Sequence, residues 1–368
     1  MKVSYSYLPR QFANADEIWV EVKKAVMEGD FTLGPRVEKF EKEFAEYVGS
    51  KYAIGVNSGT DALRLSLIAI GVGKNKTDEV ITTANTFVAT AGAIETAGAR
   101  IRFVDCNEKY VMDVEKVEAL INENTKAIMP VHYSGQPVDM EKLMRISERY
   151  NIPVIEDSCC AIDAEFRGRK CGTFGITGTF SLHPQKNLNV WSDGGLITTD
   201  SQEIRDHLCL LRNHGMRDRD HYAFYGYNSR LDTIQAVVAS FLLKDVNWIT
   251  NQRIKIAEQI DRGLKDLHPH VRIPRRDSFE RRVYHMYMLL VEDRDSLYDF
   301  LLKKGVDAKI HYPIPLHLQE ASKNLGYQNG DFPVAEKQAK EIISLPAHQH
   351  LTETEIEYII HCVKEFYT

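Results

Sequence analysis

The amino-acid sequence predicts an α/β fold in which a mostly parallel sheet, covered by helices, is followed by a smaller α+β domain. Short apolar runs alternate with helical patterns through the first two-thirds of the chain, as in βαβ units. Near residue 231 this alternation gives way to long helices and one alternating strand. The length of 368 residues exceeds the usual size of one domain. We therefore predict a large domain over residues 1–246 and a small C-terminal domain over residues 247–368.

The large domain is predicted to begin with an amphipathic helix over residues 17–28, which ends at Gly29. Helices and strands then alternate. The predicted strands cover residues 52–56, 79–82, 102–104, 127–130, 153–157, 179–181 and 195–199. The predicted helices cover residues 61–70, 87–97, 114–121, 139–150 and 201–212. In such sheets ligands bind at the carboxyl ends of the strands, so the residues that follow each strand are the candidates for a site.

The small domain is predicted to follow an apolar helix over residues 231–244. A polar helix over 247–267 comes next, and residues 282–291 alternate as a half-buried strand does. A helix over 294–304, an extended segment over 308–312 and a terminal helix from Thr352 complete the chain. This order indicates a separate small sheet.

Composition excludes several classes of function. The formal net charge of −6 argues against nucleic-acid or membrane binding, and no stretch has the apolar length of a signal peptide or a membrane helix. The six cysteines form no C-x-x-C pair, so we predict a cytoplasmic protein with reduced thiols and no metal site. The sequence also lacks a G-x-G-x-x-G motif, a P-loop and an H-E-x-x-H motif.

Three segments after strands could hold a ligand. The turn at 57–61 joins a strand to a helix and offers backbone N–H groups to a phosphate, although a simple helix cap would also explain it. Asp157 ends an apolar strand and should need a cationic partner, such as a protonated pyridine nitrogen; a buried capping aspartate is the alternative. Lys186 could form a Schiff base at the same sheet edge, whereas most lysines are solvated surface charges.

Two further residues have competing explanations. Phe87 follows a strand and could stack on a planar ring or pack in the core. Asn228 lies in the segment GYNSR and, taken alone, is typical of a turn.

Taken in order, these segments resemble the sugar aminotransferases, a branch of the fold-type I enzymes that use pyridoxal 5′-phosphate (PLP). The resemblance covers most of the chain, from about residue 30 to about residue 320. The matching stretches are residues 34–41, 58–63, 85–90, 135–140, 156–157, 172–175, 180–187 (FSLHPQKN), 193–195, 213–215, 226–232 and 317–319. The resemblance implies a seven-stranded large-domain sheet.

The resemblance also implies roles for residues. Lys186 would hold PLP through a Schiff base, Asp157 would pair with the pyridine nitrogen, and Phe87 would stack on the ring. Asn228 would reach the phosphate of the neighbouring subunit, which implies a homodimer with shared sites. The complete set around the cofactor would be Ser58, Gly59, Thr60, Asp61 (through its backbone), Phe87, Asp157, Cys160, Ser181, His183, Lys186 and Asn228.

One residue departs from the family pattern. Relatives usually have Gln or His, in contact with the ring hydroxyl of the cofactor, where this chain has Cys160. A thiol is a weak hydrogen-bond partner, so the tuning of the cofactor is expected to differ. Trp191, close to Lys186, is a second unusual feature, and together the two could mark a subgroup with an unusual acceptor.

The resemblance implies a ping-pong transamination in which an amino donor, L-glutamate, becomes 2-oxoglutarate and a keto-sugar becomes an amino-sugar. The acceptor would be a nucleotide-linked keto-hexose, with a sugar phosphate or a free keto-sugar acid as the alternative. His311, Tyr312 and His317 are candidates for the acceptor pocket, although core or surface roles remain equally open for them. Two other functions stay in consideration: a PLP-dependent sugar dehydratase, which relatives achieve with histidine in place of the lysine, and a non-catalytic ligand sensor.

Overall fold

The computed structural model describes all 368 residues. The strands are β1 (Tyr52–Val56), β2 (Glu79–Thr83), β3 (Arg100–Val104), β4 (Thr125–Met129), β5 (Ile155–Asp157), β6 (Glu165–Phe166), β7 (Arg169–Lys170), β8 (Thr177–Ser181), β9 (Gly195–Thr199), β10 (Val271–Arg272), β11 (Glu280–Arg281), β12 (Tyr287–Val291) and β13 (Ile342–Leu345). The helices are α1 (Leu8–Gln11), α2 (Asp16–Glu28), α3 (Pro35–Val48), α4 (Gly59–Ala69), α5 (Val88–Thr96), α6 (Met140–Tyr150), α7 (Gln202–Leu211), α8 (Thr233–Leu243), α9 (Val246–Leu264), α10 (Arg294–Lys303), α11 (Pro333–Glu341) and α12 (Glu353–Tyr367).

The large sheet confirms the predicted, mostly parallel architecture. Strands β1, β9, β8 and β5 are neighbours in that order, and β3, β2 and β4 form a second group. Two parallel bridges, Ile128–Val154 and Val131–Asp157, join β4 to β5, so seven strands form one continuous sheet. Only β9 runs against the others. The carboxyl ends of six strands therefore share one edge.

The small sheet differs from the prediction in extent. Its central strand, β12, pairs with β10 and β13, and covers only the second half of the predicted strand at 282–291. The first half is irregular because Val283 N and His285 N donate to the carbonyls of Gly135 and Ser134, in the loop after β4. Strand β13 and helix α11 were not predicted. Residues 308–312 contribute only one bridge, between Lys309 and Ser344.

The predicted helix at 114–121 was wrong. The segment forms two three-residue 3₁₀ turns, Val114–Lys116 and Glu118–Leu120, and only Val114 and Val117 in it are fully buried. Two buried contacts are too few to stabilise a continuous helix. The terminal helix does follow Thr352, whose side chain and that of Glu355 form a capping box.

The N-terminal segment crosses from the large sheet to the C-terminal part of the chain. Val3 pairs in parallel with Val306, and Tyr5 N donates to Asp307 Oδ2 at 3.2 Å. Val3 thereby joins a core whose other members all lie between residues 256 and 363, while another core lies wholly within residues 18–246. These two cores fall on either side of residue 246, but a third core combines residues 81–166 with Met286, Met288 and Ile342, so the division stays a proposal. None of the helices has the length and apolar character needed to cross a membrane.

Candidate active site

A cavity of about 310 Å³ lies at the carboxyl edge of the large sheet and is closed by the N-terminal segment and by residues of the C-terminal third. This volume suits a small-molecule site. Of the residues singled out in the sequence, those that line it are Ser58, Gly59, Thr60, Phe87, Asp157, Cys160, Ser181, His183, Lys186, His311 and Tyr312. Asp61, Asn228 and His317 do not line it.

One end of the cavity is the start of helix α4. Strand β1 is buried, and Ser58 after it is extended and accepts a hydrogen bond from Asp61 N at 3.1 Å. The N–H groups of Gly59 and Thr60 have no acceptor within the helix, because they belong to its first turn. A Cβ atom at Gly59 would lie 2.7 Å from Ser181 Cβ. The chain therefore places bare backbone donors beside Ser181, an arrangement that fits a phosphate.

Asp61 is the next residue of this turn, and its expected backbone contact with a phosphate stays a prediction. Its N–H group is already held by Ser58, and its carboxylate forms an ion pair with Arg64 at 2.8 Å. The residue fixes the first turn of α4 rather than facing the cavity.

Asp157 is a buried carboxylate without a cation. It is 5% exposed, and no basic group lies within 4.0 Å of it. Thr90 Oγ1 donates to Oδ2 at 2.7 Å, and Cys159 N donates to Oδ1 at 3.1 Å. A buried carboxylate is stabilised by a positive partner, so a protonated pyridine nitrogen in the cavity would supply what this residue lacks.

Lys186 lines the same cavity as this carboxylate and is half-buried. Its Nζ lies 3.2 Å from Cys160 Sγ, and its carbonyl accepts a hydrogen bond from Tyr7 Oη at 2.7 Å. Burial acts to lower the pKa of Lys186, but Cys160, Cys159 and Asp157 act more strongly and raise it. A lysine held in this way at a cavity is suited to bond covalently to a carbonyl group.

The aromatic side chain expected to stack on the cofactor is accessible. Phe87 caps helix α5, is 52% exposed and lies 6.0 Å from the ring of Tyr312, centroid to centroid. An exposed ring that lines a cavity leaves one face available for a planar ligand.

Two of the three candidates for the acceptor pocket line the cavity, and the third does not. His311 and Tyr312 line the cavity, and burial lowers the pKa of His311 to about 4, so this imidazole is neutral at physiological pH. His317 is buried elsewhere, with Nε2 3.0 Å from Glu336 Oε1 and its ring packed edge-on against Phe332. His317 therefore has the core role that the sequence left open.

Two other predicted residues have distinct surroundings. His183 is exposed and lines the cavity. Asn228 is exposed outside the cavity, and its backbone pairs with that of Asn213. Trp191 packs against Trp19, with ring centroids 4.5 Å apart, and does not line the cavity.

Five other residues line the cavity and were not predicted from the sequence; we call them the opposite wall: Tyr5, Tyr7, Arg253, His285 and His348. The alternation of Val3, Tyr5 and Tyr7 could have indicated an extended segment with one buried face. No comparable signal marked the other three, because their positions depend on the packing of distant segments.

Comparison with known proteins places the chain in a family. Residues 13–364 match the DegT/DnrJ/EryC1/StrS aminotransferase family. The chain belongs to this family. A crystal structure of S. venezuelae DesV in complex with a ketimine intermediate is similar to it, with a TM-score of 0.96 and 34% identity over 100% of this chain and 98% of the other.

Two relatives show how differently similar proteins are named. The dTDP-3-amino-3,4,6-trideoxy-alpha-D-glucose transaminase of Streptomyces venezuelae is 35% identical over 94% of this chain and 90% of its own. The pleiotropic regulatory protein of Geobacillus stearothermophilus is 40% identical over 95% of this chain and 94% of its own.

The protein is a PLP-dependent aminotransferase of fold type I. Its cavity fits that cofactor on its own chemistry. Three groups of the cavity match three groups of PLP in their chemistry. The carboxylate of Asp157 suits the ring nitrogen, the amine of Lys186 suits the aldehyde carbon, and the backbone donors of α4 suit the phosphate. The resemblance stated from the sequence is thereby confirmed.

Proposed function

We propose that this aminotransferase transfers the amino group of L-glutamate to a keto-sugar by a ping-pong reaction. The observation that carries the proposal is the pairing of Asp157, a buried carboxylate without a cation, with the amine of Lys186 in one cavity. PLP, when bound, supplies an electron sink for the bond broken at the donor carbon. The donor would leave as 2-oxoglutarate.

Different residues would bind the cofactor, transfer the proton and hold the phosphate. Lys186 would hold the cofactor and then carry a proton between the donor carbon and the cofactor, which its flexible side chain allows. Asp157 would keep the ring nitrogen protonated, since its carboxylate is fixed by Thr90 and Cys159. Gly59, Thr60, Ser58 and Ser181 would hold the phosphate.

The acceptor we propose is a nucleotide-linked keto-hexose. The support is indirect: relatives are named as transaminases of dTDP- and UDP-linked sugars, including a UDP-2-acetamido-2-deoxy-3-oxo-D-glucuronate aminotransferase of Pseudomonas aeruginosa. His311 and Tyr312 line the cavity and are the proposed contacts with the sugar. A sugar phosphate or a free keto-sugar acid would be the alternative acceptor.

The absorption spectrum of the purified protein with PLP, recorded before and after addition of L-glutamate, tests the donor half of the reaction. We expect a visible band in the wild type that disappears on addition of L-glutamate. Lys186→Ala is the control and should show no such band. Absence of the band in the wild type would exclude Lys186 as the cofactor-binding residue.

The same measurement separates the alternatives. A band that L-glutamate leaves unchanged would indicate another donor or a non-catalytic sensor, a role suggested by the name of the Geobacillus relative. Lys186 itself argues against the dehydratase, in which relatives have histidine. Candidate acceptors are then added to the glutamate-treated enzyme, and return of the visible band identifies the substrate.

We further propose that the active enzyme is a homodimer with shared sites. Asn228 is exposed and lies outside the cavity of its own chain, so it is available to a neighbouring subunit. Tyr222 and Tyr225 on the same loop are 59% and 103% exposed, and exposed aromatic side chains are typical of interfaces.

A mixing experiment tests this sharing directly. Lys186→Ala and Asn228→Ala should each be impaired alone. After unfolding and refolding together, hybrid dimers should regain activity, because one of their two sites then combines an intact Lys186 with an intact Asn228. Activity that stays at the level of the two separate variants would show that Asn228 acts within its own subunit.

A further inference from the structure

Arg253 is a buried cation in the wall of the active-site cavity. It comes from helix α9, is 2% exposed and lines the cavity. No carboxylate lies within 4.0 Å of its guanidinium, whereas most buried arginines in proteins are paired. Burial lowers the pKa of Arg253, and only the phenol groups of Tyr7 and Tyr5 act against this.

The hydrogen bonds of Arg253 hold its side chain in place without neutralising its charge. Nε donates to Gln349 Oε1 at 3.0 Å, and Nη1 donates to the carbonyls of Tyr284 at 3.0 Å and His285 at 3.4 Å. All three acceptors are neutral. Nη2 is buried and has no acceptor. The guanidinium also lies 5.0 Å from the centroid of the Tyr7 ring, a cation–π contact that fixes its plane further.

A second donor without a partner lies nearby. The hydroxyl of Tyr5 is buried, has no hydrogen-bond partner and belongs to a residue that lines the same cavity. Burial raises the pKa of Tyr5, and the positive charge of Arg253 acts against this rise, which places the two groups within electrostatic reach. His285 Nδ1 is a third buried polar atom without a partner in this wall.

An unpaired buried cation and an unpaired buried hydroxyl are each costly, and an anion that accepts from both would remove both costs. For the phosphate of the cofactor we have proposed other donors, at the start of α4, so that phosphate does not require Arg253. We propose that Arg253, together with Tyr5, binds the carboxylate or phosphate group of a substrate and thereby selects anionic substrates. L-Glutamate carries two carboxylates, so the donor is the first source, and this assignment of source rests on the proposed function.

Calorimetric titration of the PLP-loaded protein with unreactive anions tests the proposal without turnover. The ligands are glutarate, which resembles the donor, glucose 6-phosphate, which resembles an acidic acceptor, and neutral glutaramide. We expect glutarate to bind the wild type and to bind Arg253→Gln at least about tenfold more weakly, since a hydrogen bond to a charged group is lost. Arg253→Lys should restore part of the affinity. Arg262→Gln, on the exposed face of the same helix, should bind as the wild type does.

The ligands distinguish the source of the anion. Loss of glutarate binding alone would support the donor carboxylate, and loss of glucose 6-phosphate binding alone would support an acidic acceptor. Equal affinity of the wild type for glutarate, glucose 6-phosphate and glutaramide would overturn the proposal. If Arg253→Gln does not fold, Tyr5→Phe decides: it removes only the unpartnered hydroxyl, and unchanged binding of both anions would count against the site. Because none of these ligands reacts, the result is independent of whether L-glutamate and a keto-sugar are the true substrates.

Discussion

The two walls of the cavity differ in which polar groups they leave without a partner: backbone N–H groups and a carboxylate at the sheet edge, and a cation and a hydroxyl on the other wall. At the sheet edge, Asp157 accepts two hydrogen bonds and Ser58 caps helix α4. On the opposite wall, Arg253 Nη2, the hydroxyl of Tyr5 and His285 Nδ1 are buried without partners. In our proposals the sheet edge holds the cofactor and the opposite wall binds the anionic group of a substrate. The contrast would let one cavity keep its cofactor fixed and still exchange substrates.

The largest effect should come from Asp157→Asn, which removes the unpaired charge at the sheet edge while keeping the size of the side chain. We expect the rate of the donor half-reaction to fall by about 100- to 1,000-fold, because the ring nitrogen loses its charged partner. Stopped-flow absorbance measures this rate. Asp163→Asn is the matched control: Asp163 is equally buried but bonds to Lys170 and Arg281 outside the cavity, so it should affect stability and not the rate. An undiminished rate in Asp157→Asn would remove the distinction between the walls.

Gly59→Ala should weaken cofactor binding by about tenfold or more. The new Cβ would lie 2.7 Å from Ser181 Cβ and 2.9 Å from Cys159 Sγ, and relieving such overpacking costs about 1–3 kcal/mol. Titration with PLP, followed by its visible absorbance, measures the affinity. Gly92→Ala in helix α5 provides the comparison, because a Cβ there meets no atom within 4 Å and should leave affinity unchanged.

Tyr7→Phe probes the connection between the two walls. The variant keeps the ring but removes the hydroxyl that donates to the carbonyl of Lys186 at 2.7 Å. We expect a loss of about 1 kcal/mol in the free energy of unfolding, measured by denaturant titration, and a modest fall in kcat. Tyr298→Phe, in helix α10 and outside the cavity, also removes a hydroxyl and should change neither quantity. Equal effects of the two substitutions would mean that the walls are independent.

Cys160→Ala should give the smallest effect, a shift in the pH profile for PLP attachment whose direction can be predicted. Cys160 is the strongest of the groups that raise the pKa of Lys186, so its removal should lower that pKa. A lower pKa leaves more of the amine neutral at a given pH, and only the neutral amine attacks a carbonyl. The pH profile for the rate of PLP attachment should therefore move toward lower pH. Cys209→Ala, in helix α7, serves as control and should leave the profile in place.

The sequence predicted the sheet-edge wall because local patterns place its residues. Each of Ser58, Asp157 and Ser181 follows or ends a short apolar strand, and parallel strands bring such positions to one edge. The opposite wall could not be predicted because no local sequence pattern marks it. Arg253 lies in the middle of a helix, and its proposed role depends on Tyr5, which is distant in the sequence. The same reason explains the small sheet, where contacts of Val283 and His285 with a distant loop shortened the predicted strand.

Two other differences between the sequence-based expectations and the structure have simpler causes. The predicted helix at 114–121 has only two buried side chains, too few to outweigh the cost of a continuous helix. His317 resembled a pocket residue by type, yet a carboxylate at Glu336 and the ring of Phe332 hold it in the core. Residue type alone does not say which partner will be nearest.

The contacts of the N-terminal segment determine the order in which the parts of the active site can form during synthesis. Tyr5 forms a hydrogen bond with Asp307, 302 residues later in the chain, and Arg10 forms one with Glu355, 345 residues later. On a ribosome that adds about 5–20 residues per second, these partners are synthesised several seconds after β9, the last strand of the large sheet. A nascent chain could thus acquire its cofactor wall well before the wall that selects substrates, and would gain discrimination only when synthesis is nearly finished.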